Sequence, residues 1–310
     1  MTNLRIATAR QLPPAMMQGL AQLGEVVVAG ADTAAMEGCQ IYVAVATDPI
    51  PASLIESMPQ TMGLIGNLGV GTDNVDLKAA SARGLQVSNT PVVTEDTADL
   101  AFALMLATAR RLSYCESMLR ADKWAEGAQV QSTRVHGKVL GIVGLGAIGQ
   151  AVARRATGFG MKVLYNARSR KLAAEEELGV QHSGSLADLL ARSDIVSLHC
   201  PLTEQTRHII NDDTLSLMKP GAILINTGRG PLIDEQALID TLASGHLGGA
   251  GLDVFEFEPR VSPGLLAFDN VTLLPHIGSA TGECRMDMAM RLLTNIKHFA
   301  EHGQPQDRIV

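Results

Sequence analysis

The sequence predicts an α/β protein with two domains, each built around a parallel sheet. The chain has 310 residues, and a usual domain size of about 100–200 residues makes two domains the natural division. Short β-rich segments alternate with helical patterns along most of the chain, which is the order typical of parallel sheets with crossover helices. Hydrophobic residues make up 46% of the chain and charged residues 18%, a balance typical of folded globular domains.

The first hundred residues supply the first predicted sheet. Its strands are expected at Leu4–Ala7, Val26–Ala29, Ile41–Ala46, Leu64–Leu68 and Gln86–Ser88. Helices are expected between several of these strands, around Ala15–Leu23, Ser53–Met58 and Val75–Arg83. A longer helix follows, from about Glu95 to Leu112, and its apolar residues cover more than one face, which predicts that it is buried between the two domains.

A second alternating series begins at Lys138. Before it, the Gly-containing and polar segment Ala121–His136, with the chain's only Trp at position 124, is expected to be a connecting arm. The second series predicts strands at Val139–Val143, Lys162–Tyr165, Ile195–His199, Ala222–Asn226, Gly249–Val254 and Val271–Leu274. Six strands separated mostly by helices are the content of a Rossmann fold.

A glycine-rich turn joins the first strand of this series to a helical pattern. Gly144 permits the tight turn, Gly146 lets the backbone approach a pyrophosphate, and Gly149 lets the helix pack on the strand. Such turns are common and weak evidence alone, but the preceding strand, the following helix and the five further strands favour a dinucleotide site. Its predicted contacts are Gly144, Leu145, Gly146, Ala147, Ile148 and Gly149.

The end of the second strand of this series bears on the choice of cofactor. Sites for NAD usually place an acid about 20 residues after the glycines, where it binds the ribose 2′-hydroxyl. Here the sequence has Asn166, Arg168, Ser169 and Arg170, which suit a 2′-phosphate through charge-assisted bonds. The alternative is a solvated basic turn with no role in binding. The pattern predicts that NADP(H) is preferred, with NAD(H) as the alternative.

Three polar residues follow the last three predicted strands. Arg229 comes after Ala222–Asn226, Glu258 after Gly249–Val254, and His276 after Val271–Leu274. Open α/β sheets bind ligands outside the carboxyl ends of their strands. A cation that holds a carboxylate, an imidazole that donates a proton and a carboxylate that orients the imidazole are what reduction of a 2-keto acid requires. Singly, each residue has a structural alternative as a turn, loop or core residue; together they predict a catalytic site.

These motifs, in this order, carry a resemblance that covers nearly the whole chain. The glycine turn, Asn226-Thr-Gly-Arg-Gly, Leu252-Asp-Val-Phe-Glu-Phe-Glu-Pro and Leu274-Pro-His-Ile-Gly-Ser-Ala-Thr resemble the D-isomer-specific 2-hydroxyacid dehydrogenase family, in particular its glyoxylate/hydroxypyruvate reductase branch. The resemblance implies a Rossmann cofactor domain at residues 99–284. It also implies a smaller flavodoxin-like substrate domain at residues 1–98, completed by the C-terminal segment 285–310.

The resemblance also implies roles for single residues. Arg229 would bind substrate, His276 would be the acid/base, and Glu258 would pair with it, while Asp253 would contact the nicotinamide carboxamide. The segment around Leu68, Val70 and Gly71 resembles the family's substrate loop, whose N–H groups hold a carboxylate. Further implied cofactor contacts, beside Arg229 and His276, are Thr97, His199, Cys200, Pro201, Thr206, Thr227, Gly228, Asp253 and Gly278.

The implied reaction is reduction of glyoxylate, hydroxypyruvate or 2-ketogluconate to a D-2-hydroxy acid by a hydride from NADPH, in a homodimer. An NAD-dependent D-2-hydroxyacid or phosphoglycerate dehydrogenase is an alternative, although the chain shows no added regulatory domain. A dinucleotide-sensing binding protein or corepressor is the alternative of another class, disfavoured by the intact set of three residues. Trp124 either packs in its own chain or reaches the partner subunit's site. Pro91-Val-Val departs from the Pro-Gly-Val that relatives often have.

The remaining features disfavour other classes of protein. A formal net charge of −7 with no Lys/Arg run gives no surface for nucleic acid or anionic membranes. Four widely spaced cysteines, with no CxxC, indicate free thiols and no metal site. No signal sequence precedes Leu4, and no apolar stretch is long enough for a membrane helix. The sequence therefore predicts a cytoplasmic protein.

Overall fold

The structure, a computed structural model, describes residues 4–310. The first three residues of the predicted substrate domain lie outside this part. The described residues form two compact units, one of residues 4–93 and 279–310 and one of residues 94–278. The predicted limits, after residues 98 and 284, each fall inside a continuous helix. Because each helical N–H bonds to the carbonyl four residues earlier, both helices remain whole and the units divide before them.

The first unit contains a five-stranded parallel sheet of order β2-β1-β3-β4-β5, the flavodoxin-like order expected. Its strands are β1 (Leu4–Thr8), β2 (Gly24–Val28), β3 (Ile41–Val45), β4 (Leu64–Leu68) and β5 (Gln86–Ser88). Its helices are α1 (Pro14–Ala21), α2 (Ala52–Ser57), α3 (Leu77–Ala82) and the C-terminal α12 (Gly282–His302). Helix α12 packs on β4 so closely that a Cβ on Gly66 would lie 2.8 Å from Leu292, which explains the glycine.

The second unit contains a seven-stranded parallel sheet of order β12-β11-β10-β9-β6-β7-β8. Its strands are β6 (Val139–Val143), β7 (Lys162–Asn166), β8 (Gln181–His182), β9 (Ile195–Leu198), β10 (Ile223–Asn226), β11 (Gly249–Leu252) and β12 (Val271–Leu273). The order reverses between β6 and β9, which is the topological switch point at which Rossmann sheets bind a dinucleotide. The predicted fold class is therefore confirmed, with one short strand, β8, that was not predicted.

Helices cover both faces of this sheet, and each face has its own apolar core. The helices of this unit are α4 (Thr94–Ala109), α5 (Leu112–Arg120), α6 (Trp124–Ala128), α7 (Ala147–Thr157), α8 (Leu172–Leu178), α9 (Leu186–Arg192), α10 (Asp212–Ser216) and α11 (Glu235–Ala243). Helices α5 and α6 bury no residue and lie away from the sheet. The long helix expected to reach Leu112 ends at Ala109, and the predicted connecting arm contains α6. No helix within residues 4–310 has the length and apolar character needed to cross a membrane.

Candidate active site

The three candidate catalytic residues follow neighbouring strands of the second unit. Strands β10, β11 and β12 are adjacent and parallel, so their carboxyl ends lie along one edge of the sheet. Arg229, Glu258 and His276 follow these strands in that order. The edge thus brings together residues that lie 47 positions apart at most.

Glu258 and His276 form a hydrogen-bonded pair. The His276 Nδ1 atom lies 2.8 Å from Glu258 Oε2, and the other carboxylate oxygen accepts a 3.0 Å bond from the Phe255 N–H. Burial raises the pKa of Glu258, but the bond and charge of His276, the Phe255 N–H and the charge of Arg229 outweigh it, so that the net shift is downward. Glu258 is therefore ionised at neutral pH.

The charge on Glu258 decides which imidazole nitrogen can act on a substrate. An ionised carboxylate only accepts hydrogen bonds, so His276 Nδ1 must carry a proton. That leaves Nε2 as the ring atom that can exchange a proton with a bound molecule. The pair has the arrangement of a general acid whose ring is oriented by a carboxylate.

Asp253 holds the turn that carries His276. The Asp253 carbonyl accepts from the His276 N–H at 2.8 Å, and its two carboxylate oxygens accept from Ile277 and Gly278, each at 2.8 Å. This scaffold keeps His276 in the left-handed region, at φ 55°, which non-glycine residues adopt only when their surroundings enforce it. Burial raises the pKa of Asp253, against the opposing effect of the two N–H bonds. Asp253 thus positions His276, a role that the sequence did not reveal.

Arg229 lies in a turn fixed by the end of β10. The Asn226 side chain donates to the Arg229 carbonyl at 2.9 Å and accepts from the Gly228 N–H at 3.0 Å. The guanidinium donates to the Gly228 carbonyl at 2.9 Å. Its charge contributes to the low pKa of Glu258, so the cation and the carboxylate interact.

The glycine turn has the geometry that a dinucleotide requires. A Cβ on Gly144, which has φ 96°, would lie 2.5 Å from the Cys200 nitrogen, and one on Gly149 would lie 2.2 Å from the Gly144 carbonyl oxygen. A Cβ on Gly146 would meet nothing within 4 Å. Gly144 and Gly149 therefore allow backbone segments to pack closely, whereas Gly146 lies beside open space at the start of α7. Its neighbours in the turn are Leu145, Ala147 and Ile148. The first N–H groups of a helix lack partners within it and suit a pyrophosphate.

A second observation fits a bound group at this edge. The Thr227 hydroxyl is buried and has no hydrogen-bond partner within the described residues. A buried polar atom without a partner costs about 1–3 kcal/mol. A ligand that bonds to this hydroxyl would remove that cost. This agrees with the prediction that Thr227 and Gly228 contact the cofactor.

The basic turn after β7 contains two arginines in different situations. Arg170 makes a bidentate ion pair with Glu175, with bonds of 2.8 and 2.7 Å, and Tyr165 donates to the same carboxylate at 2.7 Å. The Arg170 guanidinium, with the Tyr165 hydroxyl, lowers the pKa of Glu175 to about 2. Arg168 and Ser169 are exposed, and no bond to Arg168 is made by any residue from 4 to 310. Of the two arginines, Arg168 is the one available to a 2′-phosphate.

The other predicted cofactor residues also lie in the second unit. Asn166 ends β7 and donates to the Ser183 carbonyl at 3.0 Å, and Thr97 is buried in α4 beside Gly278. His199 and Cys200 follow β9 and lie next to Gly144, and the Thr206 hydroxyl donates to the Pro201 carbonyl at 2.7 Å. Burial lowers the pKa of His199 to about 4 and raises that of Cys200 to about 11. Both side chains are therefore neutral at pH 7.

Comparison with known proteins agrees with this geometry. Residues 102–278 match the family model described as D-isomer specific 2-hydroxyacid dehydrogenase, NAD binding domain. The chain is 46% identical over 274 residues to a glyoxylate reductase of Thermococcus litoralis, which covers 86% of this chain and 82% of that protein. The chain belongs to the D-isomer-specific 2-hydroxyacid dehydrogenase family. It is an NAD(P)-dependent enzyme, and its sheet of seven strands is the part that binds the nicotinamide dinucleotide.

Two solved structures of related enzymes resemble this dehydrogenase closely. One is an NADPH-dependent glyoxylate/hydroxypyruvate reductase of Sinorhizobium meliloti in complex with NADP and malonate, with a TM-score of 0.92, 34% identity and coverage of 100% of this chain and 97% of that one. The other is a glyoxylate reductase of Paecilomyes thermophila, with a TM-score of 0.91, 33% identity and coverage of 100% and 99%.

The predicted substrate loop of the dehydrogenase lies in its first unit, directly after β4. Asn67 donates to the Gly71 carbonyl at 2.8 Å and Asn89 donates to the Val70 carbonyl at 2.8 Å. Leu68 is buried, whereas Val70 is 40% exposed. Because backbone carbonyls only accept hydrogen bonds, an anion at this loop would be bound by its N–H groups. The substrate-binding role of the loop stays a prediction.

Two carboxylates of the dehydrogenase that the sequence did not single out take part in the site's architecture. Glu175 pairs with Arg170, and Glu256 accepts bonds from His208 and Arg207. Glu175 is one of three consecutive glutamates, so nothing in the sequence marks it. Glu256 itself does carry a signal, because it lies two positions before Glu258 in the same loop.

Proposed function

We propose that this dehydrogenase is an NADPH-preferring reductase that converts glyoxylate, hydroxypyruvate or 2-ketogluconate to the corresponding 2-hydroxy acid, of D configuration where the carbon is chiral. The observation that carries the proposal is the 2.8 Å bond between His276 Nδ1 and Glu258, which leaves Nε2 as a proton donor at the strand edge. The names of the similar enzymes, glyoxylate reductase and glyoxylate/hydroxypyruvate reductase, support this substrate class.

Each of the three residues has a distinct task in this proposal. The nicotinamide, when bound, supplies a hydride to the carbonyl carbon of the keto acid. Arg229 binds the substrate carboxylate and polarises the carbonyl, and the Nε2–H of His276 gives its proton to the carbonyl oxygen as it becomes a hydroxyl. Glu258 keeps the ring oriented and stabilises its protonated form. Asp253, which fixes the turn of His276, keeps Nε2 in place.

The preference for NADPH rests on the turn after β7. The segment from Asn166 to Arg170 contains no carboxylate to accept a bond from a ribose 2′-hydroxyl, and Arg168 is exposed and unpaired among the described residues. A guanidinium forms charge-assisted, often bidentate, bonds with a phosphate. The similar enzyme from S. meliloti is NADPH-dependent, which supports the same assignment.

We further propose that the enzyme is a homodimer. Helices α5 and α6 bury no residue of their own, and they expose three large apolar side chains, Leu112 at 51%, Leu119 at 56% and Trp124 at 72%. Apolar residues clustered on an exposed element are typical of a protein interface. A second copy of the chain is the partner proposed for this surface.

A substrate panel tests the proposed function. The panel consists of glyoxylate, hydroxypyruvate, 2-ketogluconate and 3-phosphohydroxypyruvate, each assayed with NADPH and with NADH. We expect turnover of glyoxylate and hydroxypyruvate, and a higher kcat/KM with NADPH than with NADH.

The change His276→Ala should lower kcat by about 10²–10⁴-fold, because it removes the proton donor, while NADPH binding is kept. Efficient turnover by the His276→Ala variant would contradict the assignment. Binding of NADPH without turnover of any keto acid would favour a binding protein instead.

A further inference from the structure

A second histidine–glutamate pair lies beside the proposed catalytic pair. The Glu256 carboxylate, whose side chain is only 7% exposed, lies 2.6 Å from His208 Nε2 and 3.1 Å from Arg207 Nη2. Its other oxygen accepts a 3.4 Å bond from the Glu235 N–H. Buried carboxylates are costly unless they are paired and hydrogen-bonded, and this one makes contacts to two separate segments of the chain.

The first segment reaches from the cofactor loop to the turn of Arg229. Arg207 and His208 directly follow Thr206, which closes the loop after β9. The His208 N–H donates to the Pro231 carbonyl at 2.8 Å, and Pro231 lies two residues after Arg229. His208 therefore contacts the Glu256 carboxylate through its ring and the turn of Arg229 through its backbone.

The second segment fixes the backbone of Glu256 itself. The Glu256 N–H donates to Glu235 Oε1 at 2.6 Å, and the other oxygen of Glu235 accepts from the Ser262 hydroxyl. Glu235 and Glu256 thus each accept from the other's backbone N–H. The turn at Gly230 also lies so close that a Cβ there would be 1.9 Å from the Phe255 carbonyl, so the loop of Glu258 and the turn of Arg229 are in direct contact.

The geometry points to Glu256 as a positioning residue, which holds the cofactor loop, the turn of Arg229 and the loop of Glu258 in their working arrangement through His208 and Glu235. This inference rests on the proposed function. Stability alone is a weak reason for such a cluster, because buried ion pairs add little net free energy over apolar residues of similar size. An error of about 1 Å in the placement of reacting groups can cost about 10²-fold in rate.

Two changes at Glu256 and a matched control test the role. Glu256→Ala removes the carboxylate. Glu256→Gln keeps the size of the side chain but replaces one accepting oxygen with an NH₂ donor, which would oppose a donor of His208, Arg207 or Glu235. We expect both variants to lower kcat by about 10- to 100-fold. We also expect the basic limb of kcat/KM to move toward acid, as in Glu258→Gln, because a displaced Glu258 would stabilise the His276 imidazolium less. The control is Asp194→Asn, which alters a carboxylate bonded to the Val139 N–H and to Lys219 at the opposite edge of the sheet; it should lower Tm but leave kcat and the pH profile unchanged.

A conservative exchange at His208 separates positioning from general packing. His208→Gln keeps a donor for Glu256 and should retain most of the kcat that His208→Ala loses, with NADPH binding followed by cofactor fluorescence in both. The inference is overturned if the Glu256 variants lose Tm but keep the parent kcat and pH profile, or if the two His208 variants are equally impaired. Full activity of His276→Ala would instead reject the proposed function, so the two failures are distinguishable.

Discussion

The pairing of Glu258 with His276 predicts how the activity depends on pH. His276 must be protonated to donate, so reduction should fail on the basic side of the profile. Glu258→Gln removes the negative charge that stabilises the imidazolium, and the basic limb of kcat/KM should therefore move toward acid. Glu301→Gln, at a glutamate 3.9 Å from His302, is a matched control that should leave the profile unchanged. Superimposable profiles of parent and Glu258→Gln would mean that the pair does not act together.

The buried imidazole of His199 should make the stability of the protein depend on pH. Burial lowers its pKa to about 4 in the folded state, whereas the ordinary value is about 6.5. Between these values the unfolded chain binds more protons, so this contribution to the free energy of unfolding is complete above pH 6.5 and is lost progressively as pH falls from 6.5 to 4. At pH 5 the loss should reach about 2 kcal/mol.

Denaturant unfolding at pH 7 and pH 5 measures this contribution of His199. The parent should lose more stability over this interval than His199→Gln, which cannot be protonated. His302→Gln, at an exposed histidine, serves as the control and should follow the parent. Equal losses in the parent and the His199→Gln variant would show that the ring is not desolvated.

At the scale of single elements, the turn after β7 predicts unequal roles for two neighbouring arginines. Arg168 makes no hydrogen bond or ion pair among residues 4–310, whereas Arg170 is paired with Glu175. Arg168→Ala should remove a charge-assisted contact of about 1.5–3 kcal/mol and raise KM for NADPH by about tenfold to a hundredfold, with little effect on NADH. Arg170→Ala is the matched control and should have a smaller effect on NADPH. The assignment fails if Arg168→Ala weakens both cofactors equally.

The elements also show which local signals the sequence carries. Strands β4, β5 and β6 have the predicted bounds. Strands β4 and β6 are mainly apolar and are followed by Gly69 and Gly144, and β5, which is Gln86-Val-Ser88, is followed by Asn89. Strand β8 has two residues, too few to show any periodicity. The end of α4 was misplaced because Arg111, with φ 52°, turns the chain where neither glycine nor proline marks a stop. The apolar pattern continued to Leu112, so it could not separate α4 from α5.

At the scale of the whole chain, the candidate site was predictable where a residue lies in the loop that follows its strand. Arg229, Glu258 and His276 each do so, and the parallel order of β10, β11 and β12 places them along one edge. The cluster at Glu256 was not predictable, because its partners come from residue 207, residue 208 and residue 235, and no local pattern relates these positions. The positioning role of Asp253 was likewise hidden, since it depends on the N–H groups of His276, Ile277 and Gly278, which are distant in the sequence.

Assembly is the last property that the structure lets us predict. Leu112 and Leu119 on α5 and Trp124 on α6 are exposed, and covering such apolar surface stabilises an interface by about 25 cal/mol per Å² before the costs of association. We expect light scattering at micromolar concentration to give twice the chain mass of 32.8 kDa. Leu119→Glu should shift the mass toward the monomer, because a charge would be buried against apolar atoms. Leu217→Glu, at a leucine 44% exposed on the surface beside α10, should leave it unchanged. A parent mass near 32.8 kDa, or equal behaviour of the two variants, would place the interface elsewhere or remove it.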